Sequence, residues 1–182
     1  MRLLDRALQR WRIDKARAHI PDGSSVLDVG CADGELFRRM GDALGQGVGI
    51  DPNVQNDTRV PQNVELVRGL FPSGLRDRGP FDVVAMLAVL EHVPVTDHAH
   101  WNKACADLVR SGGRLIITTP APAVDGILDV LMRLRLLDGM EAEQHYGFQA
   151  SGTPAIFAPS FRCVWVEAFQ LGLNYLFVFE RA

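Results

Sequence analysis

The chain has 182 residues, room for about one domain, and 19 basic against 22 acidic residues leave a net charge of −3. That near-balance excludes a polycation built for nucleic acid, while 47% apolar and 23% charged residues exclude a disordered chain. The longest apolar run, residues 83–90, falls far short of the ~20 needed to span a bilayer, so stable membrane insertion is not expected.

Residues 2–20 read as an amphipathic helix, with Leu4, Leu8, Trp11, Ile13, Ala16 and Ile20 on its apolar side. This segment carries a net charge of +4 and the remainder −7. The opening residues lack the apolar core and cleavage site of a secretory signal. Three scattered cysteines, Cys31, Cys105 and Cys163, form no Cys-x-x-Cys pair, which argues against a disulfide framework or a zinc site and fits the cytoplasm.

Beyond the turn Pro21-Asp22-Gly23, short apolar strands alternate with helical periods. Strands are predicted at 25–29, 47–51, 64–68, 81–88 and 114–119, the fourth being the most apolar and hence central. Leu36, Phe37, Met40 and Leu44 keep a helical period after the first strand. Thr96 is the expected N-cap of a helix reaching Arg110, and Ser111-Gly112-Gly113 the expected turn after it. A further helix is marked by Ile127, Val130, Leu131, Leu134 and Leu137. Residues 161–170 and 175–180 read as a hairpin, with Trp165 and Phe161, Phe169, Phe177 and Phe179 as core. This order predicts a doubly wound α/β sheet with an antiparallel edge, one domain over 1–182, with helix 1–20 and core 24–182.

In such sheets ligands bind beyond the carboxyl ends of the strands, where the strand order reverses. The first strand feeds that crevice through Asp28-Val29-Gly30-Cys31-Ala32-Asp33-Gly34. Gly30 and Gly34 permit a tight bend and close backbone approach. Asp51, ending the second strand, suits both hydroxyls of a ribose, because an ionised carboxylate only accepts hydrogen bonds. A dinucleotide fingerprint would need glycine where Ala32 and Glu35 stand, and Glu35 would repel a pyrophosphate. Asp28 adds negative charge. The pattern asks for a ribose joined to an ammonium-bearing group.

VLDVGCADG, VGIDPN, FDVVAMLAVLEHV and SGGRLIITTP, in register over residues 26–120, resemble the class I S-adenosylmethionine-dependent methyltransferases, in particular the small type 11/12 group. The ending LGLNYLFVFER is similar to that family's terminal hairpin. Ala32 departs from the pattern, standing where the family's middle glycine usually is. The resemblance implies a Rossmann-like seven-stranded, mostly parallel sheet of order 3-2-1-4-5-7-6, and S-adenosylmethionine as cofactor. It implies that Asp28 and the turn Gly30, Cys31, Ala32, Gly34 hold the methionine moiety and that Asp51, with Pro52, takes the ribose. Leu70 and Phe71 would flank the adenine, and Leu87 and Ala88 would supply backbone contacts.

The expected reaction is in-line methyl transfer to a small-molecule acceptor, with His92 as candidate general base. Trp11, Glu91, His145 and Tyr146 are candidates for the acceptor pocket, Glu91 being read as a structural acceptor or cofactor contact rather than the base. His98 and His100, two apart on a helix, do not share a metal, and no metal is expected. Cys31 reads as a packed residue, not a nucleophile. The short stretch 121–159 leaves the pocket either open or completed by a second subunit, which would make the chain a homodimer. A second reading, a non-catalytic S-adenosylmethionine-binding regulatory or scaffolding protein, rests on Ala32 and the thin acceptor region. A third, a nicotinamide dehydrogenase, lacks its phosphate glycines.

Overall fold

The computed structural model describes residues 3–75, 78–121 and 149–182. Seven strands form one sheet: β1 Ser25–Val29, β2 Gln46–Asp51, β3 Val64–Arg68, β4 Phe81–Leu87, β5 Val109–Pro120, β6 Phe161–Phe169 and β7 Asn174–Arg181. Their order is β3-β2-β1-β4-β5-β7-β6, as expected, and β4 is central. All pairs from β3 through β5 are parallel, and β7 runs antiparallel to both β5 and β6. The order reverses between β1 and β4, which places the crevice beyond their carboxyl ends.

Side-chain alternation sorts the sheet's two faces. Leu27, Val29, Val84, Met86, Leu115, Ile117, Phe177 and Phe179 pack on one side, with Cys105 and Leu108 of α3 (His98–Leu108) and Phe157 of α4 (Thr153–Phe157). Val26, Val83, Ala85, Ile116, Leu176 and Val178 pack on the other. There they meet Ile13 and Ala16 of α1 (Leu3–Arg17) and Leu36, Phe37 and Met40 of α2 (Glu35–Met40). Asp28 lies on this second face, and its register partners are Gly49 on β2 and Ala85 on β4. Small neighbours leave room beside the carboxyl.

The glycines of β2 let α2 and the turn after β1 lie close to the sheet. A Cβ on Gly47 would come within 2.8 Å of the Phe37 ring, and one on Gly49 within 2.7 Å of Cys31 Sγ. At the opposite end, Asp82 accepts hydrogen bonds from Ser25 N and Oγ, each at 2.7 Å, and from Arg110. These bonds hold the Asp82 carboxyl down at about 2 and fasten the starts of β1 and β4 to the segment after α3.

Several local expectations are corrected. The α2 helix stops at Met40, where Gly41 takes φ +53°, and a 3-10 turn follows. Strand β4 stops at Leu87, because Ala88 turns to φ +61°. Asp97, not Thr96, stands at the N-cap of α3, and that helix ends at Leu108. Ser111-Gly112-Gly113 makes no separate turn: β5 runs through it, pairing Val109 with Phe81 and then Arg114 with Val83, so the extra residues bulge. Trp165 is 51% exposed rather than core. A bulge between Cys163 and Trp165 switches the facing of the residues beyond it, whereas Phe161, Phe169, Phe177 and Phe179 are buried as expected. The helix expected around 127–137 lies outside the described residues.

Gly49→Ala is expected to destabilise the chain by about 1–3 kcal/mol, because both sides of the new methyl are already filled. A lowered urea midpoint at unchanged m-value would register it; unchanged stability would show that Cys31 and the turn yield freely.

Candidate cofactor site

The turn after β1 is built from backbone geometry. Gly30 and Gly34 both adopt φ +75°, and Ala32 adopts φ +46°, so alanine takes the left-handed conformation that a glycine would otherwise supply. A Cβ on Gly30 would strike Val89 Cγ2 at 2.5 Å, and one on Gly34 would strike Val60 Cγ1 at 2.6 Å. Gly30 N donates to Ile50 O at 2.8 Å and Gly34 N to Cys31 O at 2.8 Å, which pins the turn to β2 and closes it on itself.

Asp51 serves as the turn's second anchor. Its Oδ2 accepts from Ala32 N at 3.1 Å and its Oδ1 from Asn53 N at 2.7 Å, so the carboxylate is oriented by one bond on each oxygen. A carboxylate has about four lone-pair positions, and acceptor capacity remains on both oxygens. Pro52 follows directly and is exposed.

Asp28, only 4% exposed, stands at the centre. Burial first, then the charges of Asp51 and Asp33, push its carboxyl from an ordinary 3.8 up to about 8. Cys31 is buried, and burial together with the same acids drives its thiol upward, which makes it a packed residue as expected. Glu35 turns away from this centre: its carboxylate meets Arg38 at 2.8 Å and Arg10 at 3.6 Å. Arg38 also pairs with Asp33 at 2.9 Å, so the acids left to the crevice are Asp51 and, once ionised, Asp28.

Other expected residues rim this centre. Leu70, 65% exposed, and Phe71 follow β3, and the Phe71 ring packs on Trp101 of α3 at 4.7 Å. Leu87 is partly buried against the α1 side. Ala88 N donates to both the carbonyl and Oγ1 of Thr118 at 3.0 Å, tying the end of β4 to β5.

Just beyond, in a 3-10 turn, Glu91 is 4% exposed while His92 is exposed. Facing Glu91 is a residue that the sequence reading passed over, Arg12 of α1. The signal was present: Leu8, Arg12 and Ala16 recur at spacing four, placing an arginine in the apolar stripe. Trp11, beside it, is 44% exposed. His98, on the first turn of α3, is buried, its Nε2 at 3.2 Å from Val93 O. His145 and Tyr146 lie outside the described residues. Among the described residues no cluster of His, Cys, Asp or Glu could hold a metal ion, and no helix is long and apolar enough to cross a membrane.

A methyltransferase domain family model matches residues 2–159. The chain belongs to this family. A ubiquinone biosynthesis O-methyltransferase of Xanthomonas campestris pv. campestris (strain B100) is 33% identical to this methyltransferase domain over 185 residues, covering 92% of this chain and 71% of the relative. Its counterpart from Xanthomonas axonopodis pv. citri (strain 306) is 32% identical over 125 residues, covering 62% of this chain and 50% of the relative. The chain thus spans about half the length of several curated relatives it matches. Among solved structures, the Burkholderia thailandensis 1,6-didemethyltoxoflavin-N1-methyltransferase, with its substrate and S-adenosylhomocysteine bound, shares the fold. Its TM-score is 0.70, with 19% identity over 95% of this chain and 77% of that one. The resemblance read from the motifs, to class I S-adenosylmethionine-dependent methyltransferases, is borne out together with its sheet order and cofactor.

The residues present fit that cofactor. The buried Asp28 carboxyl with Asp51 near it favours a ligand with an ammonium and a sulfonium over one with a pyrophosphate, and the left-handed turn lets backbone approach it. Asp28→Asn tests the electrostatics without ligand. The folded carboxyl titrates above its unfolded value, so its contribution to stability is complete below about pH 4 and is lost as pH rises through about 8. The wild-type chain is therefore expected to lose stability relative to the variant between pH 5 and 8, in denaturant midpoints taken across that range. Parallel pH profiles would contradict the assignment.

Proposed function

We propose that this chain transfers a methyl group from S-adenosylmethionine to the hydroxyl oxygen of a small molecule, by in-line displacement at the sulfonium methyl. The observation that carries the reading is the buried Asp28 carboxyl, held among acids at the point where the strand order reverses. When bound, the cofactor supplies an activated methyl group, and the protein's contribution is alignment and exclusion of water.

In this reading Asp28 receives the ammonium of the methionine moiety, and the backbone of Gly30, Cys31, Ala32 and Gly34 cradles it. Asp51, already oriented by two backbone donors, accepts from the ribose hydroxyls, with Pro52 alongside. Leu70 and Phe71 flank the adenine, Phe71 being steadied by Trp101. Leu87 and Ala88 border the methyl. Trp11, Glu91 and His92, after the end of β4 or on the helix over it, face the acceptor side. Oxygen is chosen because the curated relatives are O-methyltransferases by name. Ala32 already holds the glycine-like conformation, so the departure from the motif does not by itself favour a binding-only protein. A single domain working in the cytoplasm completes the proposal.

Titration calorimetry with S-adenosylhomocysteine and with NAD tests it. S-adenosylhomocysteine is expected to bind and NAD not to. Asp51→Ala is expected to weaken binding by about 10–100-fold, the worth of hydrogen bonds to a charged group. Affinity is expected to rise from pH 6 to 8 with proton release, because pairing with an ammonium needs Asp28 ionised and its carboxyl titrates near 8. Equal affinity for NAD, or an Asp51→Ala variant binding as well as wild type, would overturn the proposal.

A further inference from the structure

We propose that Glu91, buried opposite Arg12 beyond the end of β4, takes the proton from the acceptor hydroxyl, in place of the neighbouring His92. The inference rests on the methyl-transfer reading above. Glu91 Oε2 is fully buried and makes no hydrogen bond, and Arg12 Nε on the facing helix is in the same state. Buried polar atoms are nearly always satisfied, and leaving one unpaired is unfavourable, so two such atoms from facing groups mark a place shaped for a polar group. The place lies beside the reversal of strand order, next to the stretch that closes the methyl side of the cofactor site. His92, on the same turn, is exposed. His98, five residues after Val93, is held to that residue's carbonyl.

The charge balance favours a carboxylate here. Burial raises Glu91 from an ordinary 4.5 to about 7, against the opposing pull of Arg12 and of its own backbone hydrogen bond. A base poised near neutrality is well matched to a weakly acidic hydroxyl. As the acceptor oxygen forms its new bond to the methyl carbon, its O–H bond breaks and the proton passes to Glu91. The S–C bond breaks with its electron pair left on sulfur, so the sulfonium becomes a neutral thioether. Arg12 is a positioning residue that keeps Glu91 ionised at lower pH.

The experiment uses the full chain and a chromophoric phenol, 4-nitrocatechol, whose absorbance reports its own ionisation. With S-adenosylhomocysteine bound at a pH near 7, where Glu91 is about half ionised, wild type is expected to bind the phenol with more of the ionised spectrum than the free phenol shows at that pH. Glu91→Gln is expected to bind it with less of the ionised spectrum than the free phenol shows. In turnover, kcat/KM of wild type should rise with pH through about 7. Glu91→Gln should lower kcat by about 10²–10⁴-fold, the usual worth of a general base, and abolish that rise. Arg12→Met should move the rise to higher pH, and Arg12→Lys should restore it. A spectrum in Glu91→Gln as ionised as that of wild type, or an unchanged pH profile in that variant, overturns the inference. So does a wild-type protein that binds S-adenosylhomocysteine but not the phenol, which leaves the cofactor reading standing. Failure to bind S-adenosylhomocysteine overturns both.

Discussion

A carboxyl held in a dry place close to other acids is the constraint on which the rest of this molecule depends. Asp28 stands near Asp51 and Asp33 at the ends of β1 and β2, and it keeps its proton near neutrality because burial and its neighbours oppose ionisation. Such an arrangement is unfavourable to the empty fold and favourable to a cationic ligand. The energy of the core holds the acids together, and an ammonium brought among them relieves their repulsion. A site of this kind selects by sign before it selects by shape.

Holding the acids requires a sheet that does not yield. Register fixes Asp28 between Gly49 and Ala85, so its carboxyl emerges over the two smallest neighbours available. Asp51 secures the turn from one side through Ala32 and secures its own loop through Asn53. Thirty residues further on, Thr118 grips the Ala88 amide with two oxygens, so the end of β4 cannot drift from β5. The far end of the sheet is fastened independently by Asp82 with Ser25 and Arg110. The two clefts found there, of about 280 and 580 Å³, are lined by charged pairs already engaged with each other, Asp82 with Arg110 and Glu65 with Arg78. They share no chemistry with the carboxyl-end site.

Much of this was legible from residues alone, for identifiable reasons. The bounds of β1 and β3 follow from short apolar runs closed by glycine or polar residues, and the sheet order followed from the family resemblance. The acids Asp28, next to last in β1, and Asp51, last in β2, could be read because a charge in a buried strand has no packing purpose. What escaped was set by tertiary context. The run Ser111-Gly112-Gly113 has turn composition, yet pairing with β4 draws it into a strand as a bulge. Trp165 looked like core because strand alternation was counted without the bulge at Val164. Arg12 was hidden among basic residues that an amphipathic helix ordinarily points at solvent, and only the packing of α1 on the sheet shows it facing Glu91. His98 and Glu91 illustrate the same limit: burial of a polar side chain depends on what folds over it.

The bulge at Val164 also bears on how the chain behaves among its own copies. Strand β6 ends the sheet, and Val164, Trp165 and Val166 all stand exposed along it. A straight hydrophobic rim of that kind would invite neighbouring molecules to add rung upon rung. One surplus residue breaks the spacing of the rungs and wrenches the rim out of line, so a newcomer that matches the ladder below Val164 is out of step above it. The greasy border is thereby left poorly matched to edge-on stacking.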